Sequence, residues 1–295
     1  MSIFDRIVSR EPVQKGWSLD RKYKVRTSDG ESYFMRLSPV SQYKNRKLQF
    51  RHMEQVRDLG IRVCGPVEFG VCDEGCYTIL QWIDGREAEA VLPGMTGQER
   101  YRCGLEAGRM LRTIHTLPLP FEAAPWAERY ARKLDSKLEA YEKSPLKFER
   151  GALYLDLLRR ERHLAEGRPL VWGHGDFHCG NLMFDDQMRL TVIDFDREDI
   201  SDPWYEFNRI IWDVRMGADF ASGMVDGYWG GAVPEEFWRM VRLYLCQNMI
   251  SSLPWALDFG EVEIRNALEN GDMVLQWYDD LREVVPSWYT AGSVR

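Results

Sequence analysis

What most constrains the fold of this chain is a change of character at Asp84. Before it, short β-prone runs are broken by turn residues: 23–27, then Ser28-Asp29-Gly30, then 32–37. Asp-Gly between such runs is a strong hairpin signal. Residues 42–59 lack Gly and Pro and are rich in helix formers, which predicts a helix closed by Gly60 at the C′ position. Two further strands are expected at 67–72 and 76–81. After Asp84 the signals turn helical. Thr96-Gly97-Gln98-Glu99 has capping-box form, and Tyr101, Leu105, Gly108, Leu111 and Ile114 share one helical face before Pro118 ends it. Helices are also expected at 126–142, 146–166, 203–215, 234–252 and 262–285, with Pro203 and Pro234 at first helical positions, where a missing N–H costs nothing. Residues 170–174, 182–184 and 190–195 read as short strands among them.

A chain of 295 residues exceeds the roughly 250–300 at which one hydrophobic core stops growing, so two lobes with a cleft are expected: 1–83, a five-stranded sheet with one helix, and 84–295, mainly helical. The first residues lack the apolar stretch of a secretory signal, and no segment has the ~18 uninterrupted apolar residues of a membrane span. The six cysteines form no CxxC pair and no framework spacing, which fits reduced thiols and a cytoplasmic protein. A net charge of −7 argues against a nucleic-acid surface. The charge is unevenly spread: residues 1–83 hold 14 Lys/Arg and 10 Asp/Glu, net +4, and residues 84–295 hold 25 and 36, net −11.

The densest chemical signal is His174-Gly175-Asp176-Phe177-His178-Cys179-Gly180-Asn181, followed by an apolar run, a polar turn at Asp185-Asp186, and Val192-Ile193-Asp194-Phe195-Asp196. This puts Asp, Asn and Asp at loop positions beside short strands. Phosphoryl transfer needs such a set: a carboxylate to orient and deprotonate the attacking hydroxyl, and hard oxygen ligands for Mg²⁺. Asp176 fits the first task, Asn181 and Asp194 the second. A zinc site from His174, His178 and Cys179 would lack a fourth ligand nearby.

With His-Gly-Asp, four residues, Asn and then Ile-Asp-Phe-Asp, the chain resembles the aminoglycoside phosphotransferase and choline kinase-like superfamily, the small-molecule relatives of protein kinases. The resemblance implies an α+β, bilobal protein-kinase-like fold that binds ATP or GTP with Mg²⁺ in its cleft. It implies that Ser18, in Gly16-Trp17-Ser18, touches phosphate oxygens, and that the backbone of Gln81, Trp82 and Ile83 meets the purine edge. Arg36 stands at the third-strand position of the phosphate-binding Lys, and Gln49 at the helix position usually held by Glu, with Glu54 as a possible substitute; the Lys–Glu pair is thus not spelled out. His174 is expected to brace the loop and Asp202 to cap a helix that steadies it.

The expected acceptor is a hydroxyl of a cationic, aminated small molecule such as an aminoglycoside-like antibiotic. Two alternatives stay open: a metabolite kinase of the choline, homoserine, thiosugar or fructosamine type, and a non-catalytic nucleotide-binding pseudokinase. Protein kinase activity is disfavoured, because no Ala-Pro-Glu segment and no activation loop lie between Asp194 and Asp202. A monomer or weak dimer without nucleic-acid or membrane partners is expected.

Overall fold

A computed structural model describes residues 2–14 and 20–292. Ser18, with Gly16 and Trp17, lies outside the described residues. The chain divides into two compact units, Met1–Ala88 with Asn181–Asp196, and Glu89–Gly180 with Arg197–Arg295.

The first unit is built on an antiparallel sheet of β1 (Ile7–Pro12), β2 (Arg21–Thr27), β3 (Ser32–Ser38), β4 (Pro66–Cys72) and β5 (Gly75–Gln81), in the order β1-β2-β3-β5-β4. The Asp29-Gly30 turn joins β2 to β3, with Gly30 at φ +89 and its N–H donating to the Thr27 carbonyl at 2.9 Å. Alternation along the strands gives the sheet two different faces. Val25, Met35, Leu37, Tyr77 and Ile79 form one apolar cluster, packed by Ile3, Phe4 and Ile7 from the N-terminal segment. The opposite face carries Lys22, Arg36 and Thr78, paired in register across β2, β3 and β5. Helix α1 (Tyr43–Asp58) follows β3 and stops at Gly60, whose φ of +83 is the left-handed C′ conformation.

A second small sheet in this unit, β6 (Gly85–Glu87), β8 (Leu182–Asp185) and β9 (Leu190–Val192), is centred on the β8–β9 hairpin. It is stitched to the preceding chain by Val192 N–H to the Arg62 carbonyl at 2.9 Å and Cys64 N–H to the Val192 carbonyl at 3.1 Å.

The second unit is mainly helical: α2 (Ala88–Val91), α3 (Gly97–Ile114), α4 (Trp126–Lys143), α5 (Gly151–Glu161), α6 (Ile210–Met216), α7 (Ala218–Trp229), α8 (Glu235–Ala256) and α9 (Glu261–Trp277). Thr96 and Glu99 complete the capping box before α3. Helices α3 and α7 touch backbone to backbone: a Cβ on Gly104 would lie 2.1 Å from the Phe220 carbonyl oxygen, and one on Gly223 2.2 Å from that of Tyr101. Helix α8 is buried on most sides, and its Tyr244 accepts a hydrogen bond from Trp126 Nε1 at 2.7 Å and donates one to Asp202 Oδ2 at 3.1 Å. A two-stranded ladder of β7 (Val171–Gly173) and β10 (Asp199–Ser201) flanks the His174–Gly180 loop.

Several sequence expectations shift, among them the helix expected over 262–285, which ends at Trp277. The stretch expected as one helix over 146–166 begins only at Gly151 and ends as a 3-10 turn. The helix expected from Pro203 opens as a 3-10 segment, Pro203–Arg209, before α6. Pro234 is the N-cap of α8 rather than its first helical residue, and α8 runs on through Pro254 because Leu253 and Ala256 are fully buried. No helix among the described residues is long and apolar enough to cross a membrane.

Candidate active site

The second unit presents Asp176 on a loop held by buried carboxylates. Gly175 takes φ +80, and a Cβ there would lie 1.7 Å from the Arg197 carbonyl oxygen, so only glycine fits. Glu206, 2% exposed, accepts from Gly175 N–H at 2.7 Å and from Phe177 N–H at 3.2 Å. Asp213, fully buried on α6, accepts from Cys179 N–H at 2.7 Å. His174 is itself fully buried, and its Nδ1 accepts from Asp176 N–H at 3.3 Å, the bracing role expected of it. The loop backbone is thus fixed on both sides of Asp176.

The Asp176 carboxylate faces two guanidiniums and an imidazole. Arg209 Nε lies 2.9 Å from Oδ1, Arg197 Nε 3.7 Å and His178 Nε2 3.9 Å from Oδ2. Burial alone would raise its pKa, but His178, Arg209 and Arg197 together hold it well below the usual carboxylate range. Asp213 shows the opposite balance: burial pushes its carboxyl up to about 7 against the pull of His178 and the Cys179 N–H. For Glu206 burial is outweighed by His115, His174 and the Gly175 N–H, and its pKa is lowered.

In the first unit the β8–β9 hairpin brings Asn181 and Asp194 to one end. Leu182 pairs with Val192, and just beyond that pair Ile193 N–H donates to the Asn181 carbonyl at 3.0 Å. The far end is closed by Asp185, which accepts from Gln187 N–H at 3.0 Å and Arg189 N–H at 2.9 Å. Asp194 adopts φ +59, a left-handed conformation uncommon outside glycine that Asp tolerates better than most residues.

Arg36, expected at the phosphate-binding position, is engaged by carboxylates. Its Nη2 lies 3.3 Å from Asp194 Oδ1, its Nη1 bonds Asp196, and its Nε is 3.8 Å from Asp20. Arg46, from α1, shares two of these partners: it bonds Asp20 and sits 3.0 Å from Asp196. Gln49 joins the same network, accepting from Arg46 Nη1 at 2.6 Å and donating to the Asp196 carbonyl at 3.1 Å. In place of a Lys–Glu pair the chain therefore carries two arginines, three aspartates and a glutamine.

At the end of β5, Gln81 N–H donates to the Gly65 carbonyl at 2.8 Å, and the Cys64 thiol to the Gln81 carbonyl at 3.3 Å. Half-buried Trp82 has Lys24 Nζ 4.4 Å from its ring centroid and donates from Nε1 to Asp84 at 3.0 Å.

Mg²⁺ is commonly held by one or two carboxylates, with phosphate oxygens and water completing its shell. The Asp194 carboxylate, 37% exposed although paired, and the Asn181 amide oxygen are donors of that hard kind. No group of three or more His, Cys, Asp or Glu side chains suited to a metal occurs among the described residues. The sequence reading did not anticipate Glu206, the loop-bracing role of Asp213, Arg209 or Arg46. A signal for the first two was present: they lie seven apart, on one helical face shared with apolar Phe207 and Ile210, where a carboxylate needs a reason to be buried.

No curated protein sequence matches the chain significantly. Among solved structures it is similar to the GDP complex of aminoglycoside 2′-phosphotransferase-IIIa, at 20% identity and TM-score 0.68, covering 91% of this chain and 92% of that one. It is also similar to a choline/ethanolamine kinase family protein from Mesorhizobium loti, at 17% identity and TM-score 0.65, covering 94% and 91%. A spectinomycin phosphotransferase in complex with ADP and spectinomycin follows at 14% identity and TM-score 0.60, covering 94% and 88%. At these identities the likeness is one of fold: α+β and kinase-like, with an antiparallel sheet in the N-terminal part and helices in the C-terminal part. The family match is by sequence and spans residues 9–237, taking in the sheet, the Asp176 loop and the hairpin, and by it this chain belongs to the phosphotransferase enzyme family (APH).

Proposed function

We propose that this phosphotransferase moves the γ-phosphoryl group of ATP or GTP to a hydroxyl of a cationic, aminated small molecule. The observation that carries the reading is Asp176: a carboxylate kept ionised by Arg209 and His178 on a loop pinned by Glu206 and Asp213. It orients the acceptor hydroxyl and takes its proton as the oxygen bonds to the γ-phosphorus and the bond to the leaving diphosphate breaks. Its depressed pKa makes it a weak base, which suits a loose transition state in which the proton moves late.

Asn181 and Asp194 are the residues that would hold Mg²⁺, which supplies charge neutralisation on the nucleotide phosphates when bound. The purine edge is met by the backbone of Trp82 and Ile83, since the Gln81 N–H already serves the Gly65 carbonyl. Nucleotide use is supported by the GDP and ADP complexes of the two similar phosphotransferases.

The acceptor class rests on charge. Residues 84–295 carry 25 Lys/Arg against 36 Asp/Glu, net −11, a field that attracts a cation. A choline-type amino alcohol is the second reading, favoured by likeness to the choline/ethanolamine kinase family protein; it too is cationic. Nucleotide consumption across aminoglycosides, macrolides, peptide antibiotics and amino alcohols decides between them. The best acceptor should be cationic, and its KM should rise severalfold from about 0.05 to 0.5 M salt. A neutral or anionic best acceptor sinks the acceptor reading and leaves phosphoryl transfer standing.

A further inference from the structure

On α6, the neighbours of Trp212 are spent on the core and Trp212 is not. Ile210, Ile211 and Asp213 are buried, whereas Trp212 is half-buried. Among the described residues the ring that meets it is the His178 imidazole, 5.6 Å between centroids and tilted by 33°. The cation over it is the Arg209 guanidinium, 5.5 Å from the ring centroid. Both distances are ordinary for ring stacking and for cation–π contact. Arg209 and Trp212 are three residues apart where the 3-10 segment passes into α6, a spacing that makes side chains neighbours on one helical face.

The same two groups meet the Asp176 carboxylate from its two sides, Arg209 Nε at 2.9 Å from Oδ1 and His178 Nε2 at 3.9 Å from Oδ2. Neither contact orients itself. The Arg209 Nε–H is buried but is aligned on no acceptor among the described residues, so its attraction to Oδ1 is Coulombic and does not fix the guanidinium plane. His178 Nε2 is too far from Oδ2 for a direct hydrogen bond. Its direction is set from the opposite edge, where Nδ1 accepts from Gly180 N–H at 3.1 Å; a neutral ring then carries its proton on Nε2, on the Asp176 side. One edge contact leaves the imidazole free to tilt, and the Trp212 face limits that tilt.

We propose that Trp212 is a positioning residue for the Asp176 base, its ring holding Arg209 at one carboxylate oxygen and His178 at the other. The inference rests on the reading of Asp176 as the base and adds the residue that keeps its partners in place.

Nuclear magnetic resonance of the full chain with isotope-labelled histidine nitrogens tests the placement without an acceptor. The chain has five histidines, and His178→Gln identifies the His178 signals. In wild type the two ring nitrogens of His178 should be well separated, Nδ1 bare and Nε2 protonated. In Trp212→Leu they should draw together as the released ring exchanges tautomers, and Trp212→Phe, which keeps a ring face, should restore the separation. Turnover of Mg-ATP or Mg-GTP is read with kanamycin or choline, whichever wild type phosphorylates faster. It should fall about 10- to 100-fold in Trp212→Leu with the nucleotide KM within about threefold, and recover in the phenylalanine form. In an Arg209→Met, His178→Gln background the leucine change should cost little more, because the groups it acts through are gone. Trp212→Met takes the place of the leucine form if that form does not melt like wild type. A folded variant without the ring whose His178 signals stay separated, or whose turnover stays within about threefold of wild type, overturns the assignment to Trp212. Wild-type turnover in Asp176→Asn overturns the base reading and this inference with it.

Discussion

Glu206→Gln isolates the bracing of the Asp176 loop. The wild-type carboxylate, 2% exposed, accepts from two backbone N–H groups, at 2.7 Å from Gly175 and 3.2 Å from Phe177. Glutamine keeps the shape but has one acceptor oxygen, so its amide nitrogen faces a buried N–H that loses its partner. One unsatisfied buried donor, with loss of the charge-assisted bond, costs about 2–4 kcal/mol. At about 2–4 °C per kcal/mol, the melting temperature should fall by roughly 4–16 °C. Asp176 lies between the two amides that Glu206 holds, one of which is released, and a misplacement of about 1 Å costs on the order of 10²-fold in rate. The expected pattern in a nucleotide-consumption assay at saturating substrates is therefore a kcat lower by about 10- to 100-fold, with nucleotide affinity retained because the sheet that would bind it belongs to the other unit. The folded Glu206 carboxyl titrates below its ordinary 4.5, so its contribution is present above that pH and is lost as pH falls through the folded value. The glutamine variant should lack that part of the acid sensitivity. A melting temperature within about a degree of wild type and an unchanged kcat would refute the reasoning.

Asp176→Asn should fold and bind nucleotide but lose about 10²–10⁴ in turnover, the usual contribution of a positioned base; turnover within about threefold of wild type removes Asp176 from that role. Asp194→Ala should abolish the Mg²⁺ dependence of nucleotide affinity, and calorimetry showing it intact counts against a ligand role. Asp213 titrates near 7 when folded against an ordinary 3.8, so the unfolded chain binds fewer protons between those values and stability falls as pH rises through the window. Its slope is up to about 1.4 kcal/mol per pH unit. Asp213→Asn should flatten the fall in melting temperature over pH 4–7, and parallel curves would exclude Asp213 as the source.

Local chemistry made much of the fold legible. Asp29-Gly30, Gly60, the Thr96–Glu99 box and Asp202 each announce a turn or cap with its own mechanism, and each does that job. Helix interruptions were harder, because periodicity passes smoothly through Arg209 while the backbone there changes from 3-10 to α. The loop spacing named Asp176, Asn181 and Asp194, but the partners that tune them are not local. Arg46 and Asp196 lie 150 residues apart, and Glu206 is 31 residues from the Gly175 N–H it accepts. Such pairings are decided by how strands and helices stack, which one-dimensional spacing does not encode. Arg36 illustrates the point: its strand position was readable, whereas its engagement by three aspartates was not.

The β8–β9 hairpin has a consequence for variation. Asn181 and Asp194 are neighbours because Leu182 pairs with Val192, and the residues that separate them in the chain are spent on a turn at the far end, around Asp185 and Arg189. The count between them is thus an accident of turn length. Two residues added or removed at Asp186 and Gln187 would lengthen or shorten the hairpin's tip and leave the paired end in register, whereas a single residue deleted beside Leu182 would swap the faces of the strand. The tip is accordingly a place to graft a tag or a reporter, and relatives with longer turns can keep the same site under a sequence pattern that a fixed gap would miss.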